Sequence, residues 1–542
     1  MIAGATVAAI DVAVGTEMDR SGQPGLTLGV TDRDGTLVIR TYGFAELASR
    51  RPVDADTLFE IGSIGKTFTA VAILQLVDEG RIDLSAPVYR YLPWFAVCQP
   101  SGHPPLTIRH LLSHTAGIVA GVDATPEAAF QVWSLHDLPT LSAPGERFHY
   151  SNVGYKALGL VLEALERRPY CEVVRDRVLD PLGMSATEPA ITHEIWHRLA
   201  VGYEYLHDDR LGYPGAPLAP ATWLQTDTAD GSLASTADDM CALVRLLLRG
   251  GEGPCERLLT ERSFAEMTTG HAQMTETVTY GYGLVMRDLD GRRFMGHGGG
   301  MVGYLAGMQA DPEAGLGAIV LQNGVSLNPM ALARTAIGIV REATEGAPPP
   351  TTAATRASLD NGRLELVGVY TPDDSDIEPI EIVPADDELA LRSGGRQVAL
   401  EELADDLFLA PDAAFDRFRI EVTRPNGVPE LWHGGRRYVR AGAVARPLPE
   451  PSPELRSIAG HYRSHNPWST NFRIVLRGDQ PWLVFTGAPD GFDNEQRLVR
   501  TSNGSFRPGE DPGNPESLRF DTVVDGRALR AWLSGWPYYR AD

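Results

Sequence analysis

Phe59-Glu60-Ile61-Gly62-Ser63-Ile64-Gly65-Lys66-Thr67-Phe68-Thr69-Ala70-Val71-Ala72-Ile73-Leu74-Gln75-Leu76-Val77-Asp78-Glu79-Gly80 is the stretch around which the chain is organised. From Thr67 onward it is apolar nearly all round, the pattern of a helix buried on every side. Gly80 stands where a left-handed C-terminal cap belongs, so the sequence predicts a helix over residues 63–79. Positions i and i+3 of its first turn share a face, which brings the Ser63 hydroxyl within reach of the Lys66 amine. An amine held neutral by burial can take the serine proton, and a helix N-terminus favours the negative charge that then develops. S-x-x-K alone recurs by chance in any long chain, so its partners decide what it means.

The chain around this stretch has 542 residues, too many for one core, and about two to four domains are expected. Hydrophobic residues at 43% and charged residues at 22% are globular values rather than those of a disordered chain. A net charge of -23 argues against nucleic acid or an anionic membrane as partner. Cys98, Cys171, Cys241 and Cys255 show no C-x-x-C spacing and read as reduced thiols. Residues 1–14 are mildly apolar, but Asp11 interrupts them and no basic n-region precedes, which makes a poor signal peptide. No apolar run reaches the roughly 20 residues that span a bilayer. A soluble, cytoplasmic protein without a cofactor is the expectation.

Three further segments bear on the serine. Residues 1–20 read as a helix, and 25–30 and 36–42 as strands about the turn Thr31-Asp32-Arg33-Asp34-Gly35. Residues 106–117 follow as a short helix, with Thr107 as cap and Gly117 as stop. Its His110 and His114 are spaced i, i+4 without an accompanying acid, which suits packing or capping. Tyr150-Ser151-Asn152 comes after the loop Ala143-Pro144-Gly145-Glu146 and before an apolar-periodic helix over 153–165. A phenol at that junction can point into a cleft floored by the buried helix, and beside an ammonium it can serve as general base. Asn152 offers a donor and an acceptor for a substrate amide and for fixing Lys66. The last segment is Gly296-His297-Gly298-Gly299-Gly300-Met301-Val302-Gly303-Tyr304, where glycines let a ligand approach the backbone and N–H groups bind a carbonyl oxygen. A plain glycine-rich hairpin is the alternative there.

His193-Glu194-Ile195-Trp196-His197 matches H-E-x-x-H, the zinc hydrolase pattern of two ligands and a general base on one helical face. The helix would be short, between Pro189 and Gly202, and no third ligand follows at the usual spacing. A chain with 13 histidines can meet this pattern by chance, and the zinc reading stands as the minor alternative.

Taken together, the segments resemble the serine beta-lactamase-like superfamily, in its branch of class C beta-lactamases, DD-peptidases, esterases and D-aminopeptidases. S-x-x-K is the signature of the related class A enzymes and penicillin-binding proteins. Here Y-x-N (Tyr150, Asn152) is the second motif and H-x-G (His297, Gly299) stands where many members have K-T-G. Segments 106–117, 231–239, 280–283 and 311–313 add to the resemblance, which covers roughly residues 20–345. It implies an α+β catalytic domain, an antiparallel sheet flanked by helices plus a helical region. It implies Ser63 as acylated nucleophile and Lys66 with Tyr150 as the proton-transfer pair. Asn152 and Gly299 would contact substrate, and the N–H groups of Ser63 and Gly300 would form the oxyanion hole. His297 departs from the lysine of many members; a mostly neutral imidazole weakens the case for substrates bearing a carboxylate.

Three consecutive prolines mark 346–356 as an extended linker, and beyond it short alternating segments are the pattern of small all-β domains. A second proline-rich stretch, 446–453, divides this tail into halves that look alike. Gly368-Val369-Tyr370 answers Gly460-His461-Tyr462, and Tyr438-Val439-Arg440 answers Tyr538-Tyr539-Arg540. The expected organisation is a serine hydrolase domain over 1–345 and two small antiparallel β-barrels over 357–445 and 455–542, a layout similar to that of the D-aminopeptidases. Appended barrels can shield the site, restrict substrate size or build a homo-oligomer; Trp468, Trp482, Trp532 and Trp536 are read as core of the last barrel or as such a contact. The function implied is hydrolysis of a small amide or peptide through an acyl-enzyme. A carboxylesterase is the close rival, and a zinc hydrolase using His193 and His197 or a non-catalytic penicillin-binding protein are the alternatives of other classes.

Overall fold

Leu26, Leu28 and Val30 alternate with Thr27 and Gly29 along β1 (Gly25–Asp32), and both sets are buried. A strand buried on two faces belongs in the middle of a sheet covered on both sides. The computed structural model of the chain describes residues 2–121, 127–289, 291–346, 361–374, 376–486 and 494–542, and has β1 in that place. The described residues fall into two compact units. The first comprises those of 1–205, 217–351 and 511–516, the second those of 206–216, 352–510 and 517–542.

In the first unit, β1 is joined by β2 (Thr36–Glu46), β3 (Arg51–Pro52), β4 (Ala272–Thr275), β5 (Val278–Tyr280), β6 (Val285–Leu289), β7 (Arg292–Met301), β8 (Tyr304–Asp311) and β9 (Leu316–Gln322). The sheet order is β3-β2-β1-β9-β8-β7-β6-β5-β4, antiparallel in every pairing. Leu26, Leu28, Val30, Ala318 and Val320 face two amphipathic helices, α1 (Gly4–Ser21) and the last helix of the unit, Pro329–Glu345. On the opposite face a Cβ on Gly29 would stand 2.8 Å from Cys241 Sγ, so glycine there lets the helix Ala237–Leu248 lie close against the strand.

The helix read from the organising stretch is α2 (Gly65–Asp78), buried on nearly every side. It ends as expected. Gly80 takes φ +71°, its N–H bonds Val77 O, and the Arg81 N–H bonds Leu76 O, the paired bonds of a left-handed cap. Its start differs from the expectation, because residues Gly62–Ile64 form a tighter 3-10 turn before the α-helix begins. The chain arrives from Phe59–Glu60, paired with Ala234–Ser235, and Gly62 at φ +52° makes the corner. Against α2 packs α3 (Asn152–Glu166), capped by the Ser151 hydroxyl, which accepts from the Gly154 N–H.

In the second unit, a nine-stranded antiparallel sheet over residues 368–440 curls until only Arg396–Ala399 and Glu401–Ala404 are left as edges, joined through Leu400. The eight strands of 460–540 close into a barrel. The repeat read from sequence recurs atom for atom. Tyr370 donates to Leu366 O and Tyr462 to Ile458 O, both at 2.9 Å. Arg440 bonds the carbonyls of Glu365 and Val367, and Arg540 those of Ser457 and Ala459. In each half the tyrosine of the first strand pairs in register with the arginine of the last. Of the tail tryptophans, Trp536 packs against the barrel core, Trp532 donates to Asp521 and Trp482 lies under Arg477. The linker 346–356 falls outside the described residues except at Gly346, which caps the preceding helix at φ +76°. Among the described residues no helix is long and apolar enough to cross a membrane, and the four cysteines are unbridged.

Candidate active site

Ser63 lies in the 3-10 turn and Lys66 at the start of α2, so one turn of chain presents both side chains to one place. Lys66 is fully buried, and its Nζ stands 2.9 Å from Ser63 Oγ and 2.7 Å from the Asp230 carbonyl. The rings of Tyr150 and Tyr155 lie 4.9 and 5.6 Å from the same nitrogen. The turn is packed on three sides by glycine. A Cβ on Gly231 would stand 2.8 Å from Gly62 C, one on Gly283 2.5 Å from Lys66 O, and one on Gly299 would overlap Ile61 O. Backbone thus replaces side chain around the serine, which leaves its N–H beside β7.

The hairpin Met301-Val302-Gly303-Tyr304 decides which groups of β7 face that turn. A two-residue loop makes Met301 and Tyr304 a hydrogen-bonded pair, so His297 and Gly299 also bond β8. The N–H groups of Gly298 and Gly300 therefore point to the opposite edge, where β7 runs past Gly62. Gly62 and Gly300 approach so closely that a Cβ on the former would lie 2.5 Å from Gly300 N. The Ser63 and Gly300 N–H groups are accordingly on neighbouring backbones.

Tyr150 is half-buried and stacks on His114, with ring centroids 4.2 Å apart. His114 adopts φ +56° and accepts from the Ser151 N–H at its Nδ1, which ties the junction before α3 to the short helix Ile108–Leu112. The other histidine of that segment, His110, completes the capping box with Thr107, so the two act in packing and capping as read. Asn152 begins α3 and its N–H bonds Ala120 O at 2.8 Å. His149, one residue before Tyr150, meets Glu516 at 2.9 Å, and the same carboxylate accepts from the Ala120 N–H at 2.6 Å.

His297 is buried, and both ring nitrogens are engaged. Nδ1 donates to Gly298 O, which fixes the tautomer, and Nε2 accepts from the Tyr280 hydroxyl at 3.0 Å. Burial, and secondarily the Lys66 charge, holds its pKa down to about 4. Burial and the same charge push His114 well below the ordinary range, and burial pushes Tyr280 well above it. The imidazoles around Lys66 are thus neutral at pH 7.

The structure places Ser63 on the 3-10 turn and Lys66 at the start of α2, Tyr150 and Asn152 at the junction into α3, and His297, Gly299 and Gly300 on β7. It does not bring His193 and His197 onto one helical face. His193–Ile195 is a single 3-10 turn, and the His193 ring lies 4.7 Å from that of Trp223. Sequence reasoning missed Asp230, whose carbonyl fixes Lys66, and Glu516, which contacts His149 from 367 positions away. Tyr280 sat in a noted Y-G-Y-G stretch, but nothing in the letters tied it to His297.

A serine turn, a buried lysine, a tyrosine at the second junction and a glycine-rich strand, in this order around this sheet, are the arrangement of the beta-lactamase and transpeptidase class. The family model described as Beta-lactamase matches residues 10–341, and the chain belongs to that family. It is 30% identical over 316 residues to penicillin-binding protein 4 of Amycolatopsis lactamdurans, covering 56% of this chain and 81% of that protein. Among solved structures it is similar to an octameric penicillin-binding protein homologue from Pyrococcus abyssi, with TM-score 0.57 and 25% identity, over 80% of this chain and 99% of that one. A D-stereospecific amidohydrolase from Streptomyces sp. is similar with TM-score 0.51 and 28% identity, over 61% of this chain and 97% of that one.

Proposed function

We propose that the protein hydrolyses small amides or short peptides with a D-residue at the acyl position, through an acyl-enzyme on Ser63. The observation that carries this is the buried Lys66 amine, set between the Ser63 hydroxyl and the Asp230 carbonyl, both uncharged. An amine that donates one N–H to that carbonyl can turn its lone pair to Ser63 Oγ and take the hydroxyl proton. Ser63 Oγ then bonds the substrate carbonyl carbon, and the oxygen takes the charge beside the N–H groups of Ser63 and Gly300. Tyr150 passes the proton to the leaving amine, the C–N bond breaks, and water repeats the sequence to release the acid. Asn152 and Gly299 contact the substrate backbone. The similarity to a D-stereospecific amidohydrolase supports the choice of acyl group.

His297 supports substrates without a carboxylate, because a neutral imidazole with both nitrogens engaged offers no cation to an anion. The same neutrality suits an uncharged ester, which makes a carboxylesterase the second reading. Intact mass after a reactive fluorophosphonate tests the nucleophile: one adduct on wild type and none on Ser63→Ala is the expected result. Rates on matched D-alanyl amide, L-alanyl amide and short-chain ester then separate amidase from esterase. An adduct without turnover of any of the three leaves a penicillin-binding protein, and no adduct at all overturns the serine mechanism.

A further inference from the structure

Asp230 faces two buried amines at once. Its carbonyl accepts from Lys66 Nζ at 2.7 Å, while its carboxylate Oδ2 lies 3.8 Å from Nζ of Lys156. Lys156 is 2% exposed, stands one turn after Asn152 on α3, and donates to Gln131 Oε1 at 2.8 Å. Asp230 is itself buried, and its Oδ1 has no hydrogen bond among the described residues. An uncompensated carboxylate on the residue whose carbonyl holds Lys66 would favour the ammonium form of that amine.

We propose that Lys156 is a positioning residue for acylation. By neutralising Asp230 it keeps the carboxylate's field off Lys66, so that Lys66 can stand as a free amine beside Ser63, and the pair holds the Asp230 carbonyl on Lys66. This rests on the reading of Lys66 as the acceptor of the serine proton. The other groups facing Lys66 do not supply that compensation. Tyr150 and Tyr155 present ring faces from the α3 side, and His114 and His297 are held neutral by burial from the segment before Tyr150 and from β7. The acid and the amine that face each other in this shell are Asp230 and, behind it, Lys156. No motif marks Lys156, whose place on the apolar-periodic helix after Asn152 is that of a core residue.

The test is the pH profile of Ser63 labelling by the fluorophosphonate, run on the full chain. Lys156→Met strands the Asp230 charge beside Lys66, so the midpoint of the acid limb moves up by about one pH unit and labelling at pH 7 slows roughly tenfold. Asp230→Asn strands the Lys156 charge instead and moves the midpoint down. The double variant Lys156→Met with Asp230→Asn returns it to the wild-type position. A merely structural role would lower labelling equally at every pH and leave all midpoints in place, which overturns the inference. If Lys156→Met does not fold, Asp230→Asn decides alone, since an upward or absent shift contradicts the model. Labelling of wild type that Ser63→Ala does not abolish overturns the serine reading itself, a result distinct from unmoved midpoints.

Discussion

Each compact unit buries a cation, and the two are held in opposite ways. Lys66 is fully buried with a hydroxyl and a carbonyl for partners. Arg477 in the tail is 8% exposed, donates to Glu421 and Glu495 at 2.5 Å each and to Gly434 O at 3.0 Å, and lies 4.4 Å from the Trp482 ring centroid. Two carboxylates and an indole face hold a charge that never leaves. The proposed proton acceptor calls for the opposite arrangement, an amine whose hydrogen-bond partners carry no charge.

Replacing each cation by methionine should separate these roles. Lys66→Met is expected to slow acylation by about 10³-fold, some 4 kcal/mol of barrier, while the melting temperature holds or rises. A fall in melting temperature without loss of labelling would reverse the assignment. Arg477→Met strands Glu421 and Glu495 and should cost about 3 kcal/mol in a urea titration, with recovery when both are changed to glutamine. Gly299→Ala probes the crowded side of the first unit. Its methyl overlaps Ile61 O and pushes β7 from the serine turn, so labelling should fall roughly 100-fold, the cost of one misplaced oxyanion donor. The smallest effect is shared. His297 and His433, one in each unit, are both held down to about 4 by burial. The unfolded chain takes these protons below about pH 6.5 and the folded one does not, so stability falls as pH drops from about 6.5 to 4. Each accounts for about 1 kcal/mol at pH 5.5, and His433→Gln should remove only the tail's share in acid melts.

The legible parts of the site are those whose partners are close in sequence or set in a patterned segment. Ser63 and Lys66 lie three positions apart on one turn, and the apolar run after them forces α2 inside. The tyrosine and arginine of each barrel were legible because the chain states them twice. Asp230 acts through its carbonyl, a group every residue has, so no letter could announce it. Glu516 reaches Ala120 across 396 positions, and a lone glutamate in a loop carries no period. H-E-x-x-H failed the other way. Its letters matched, but the chain there makes one 3-10 turn and then bridges Leu58 through Leu199, leaving no helix to align two imidazoles. The neutrality of His297 was expected from imidazole chemistry, whereas its bond to Tyr280 needed the register of β5, β6 and β7.

The clasp between the first and last strands also sets an order of events at the ribosome. Tyr370 can meet Arg440, and Tyr462 can meet Arg540, only after the later residue of each pair has left the exit tunnel. Neither barrel can therefore close progressively as it is made; each waits with unpaired strand edges until its final strand is translated. The first has its clasp 100 residues before the second, and the repeated socket means that an early Tyr370 could be courted by the wrong arginine. Segregating the halves in time, by completing one before the other's closing strand exists, is the safeguard that vectorial synthesis supplies.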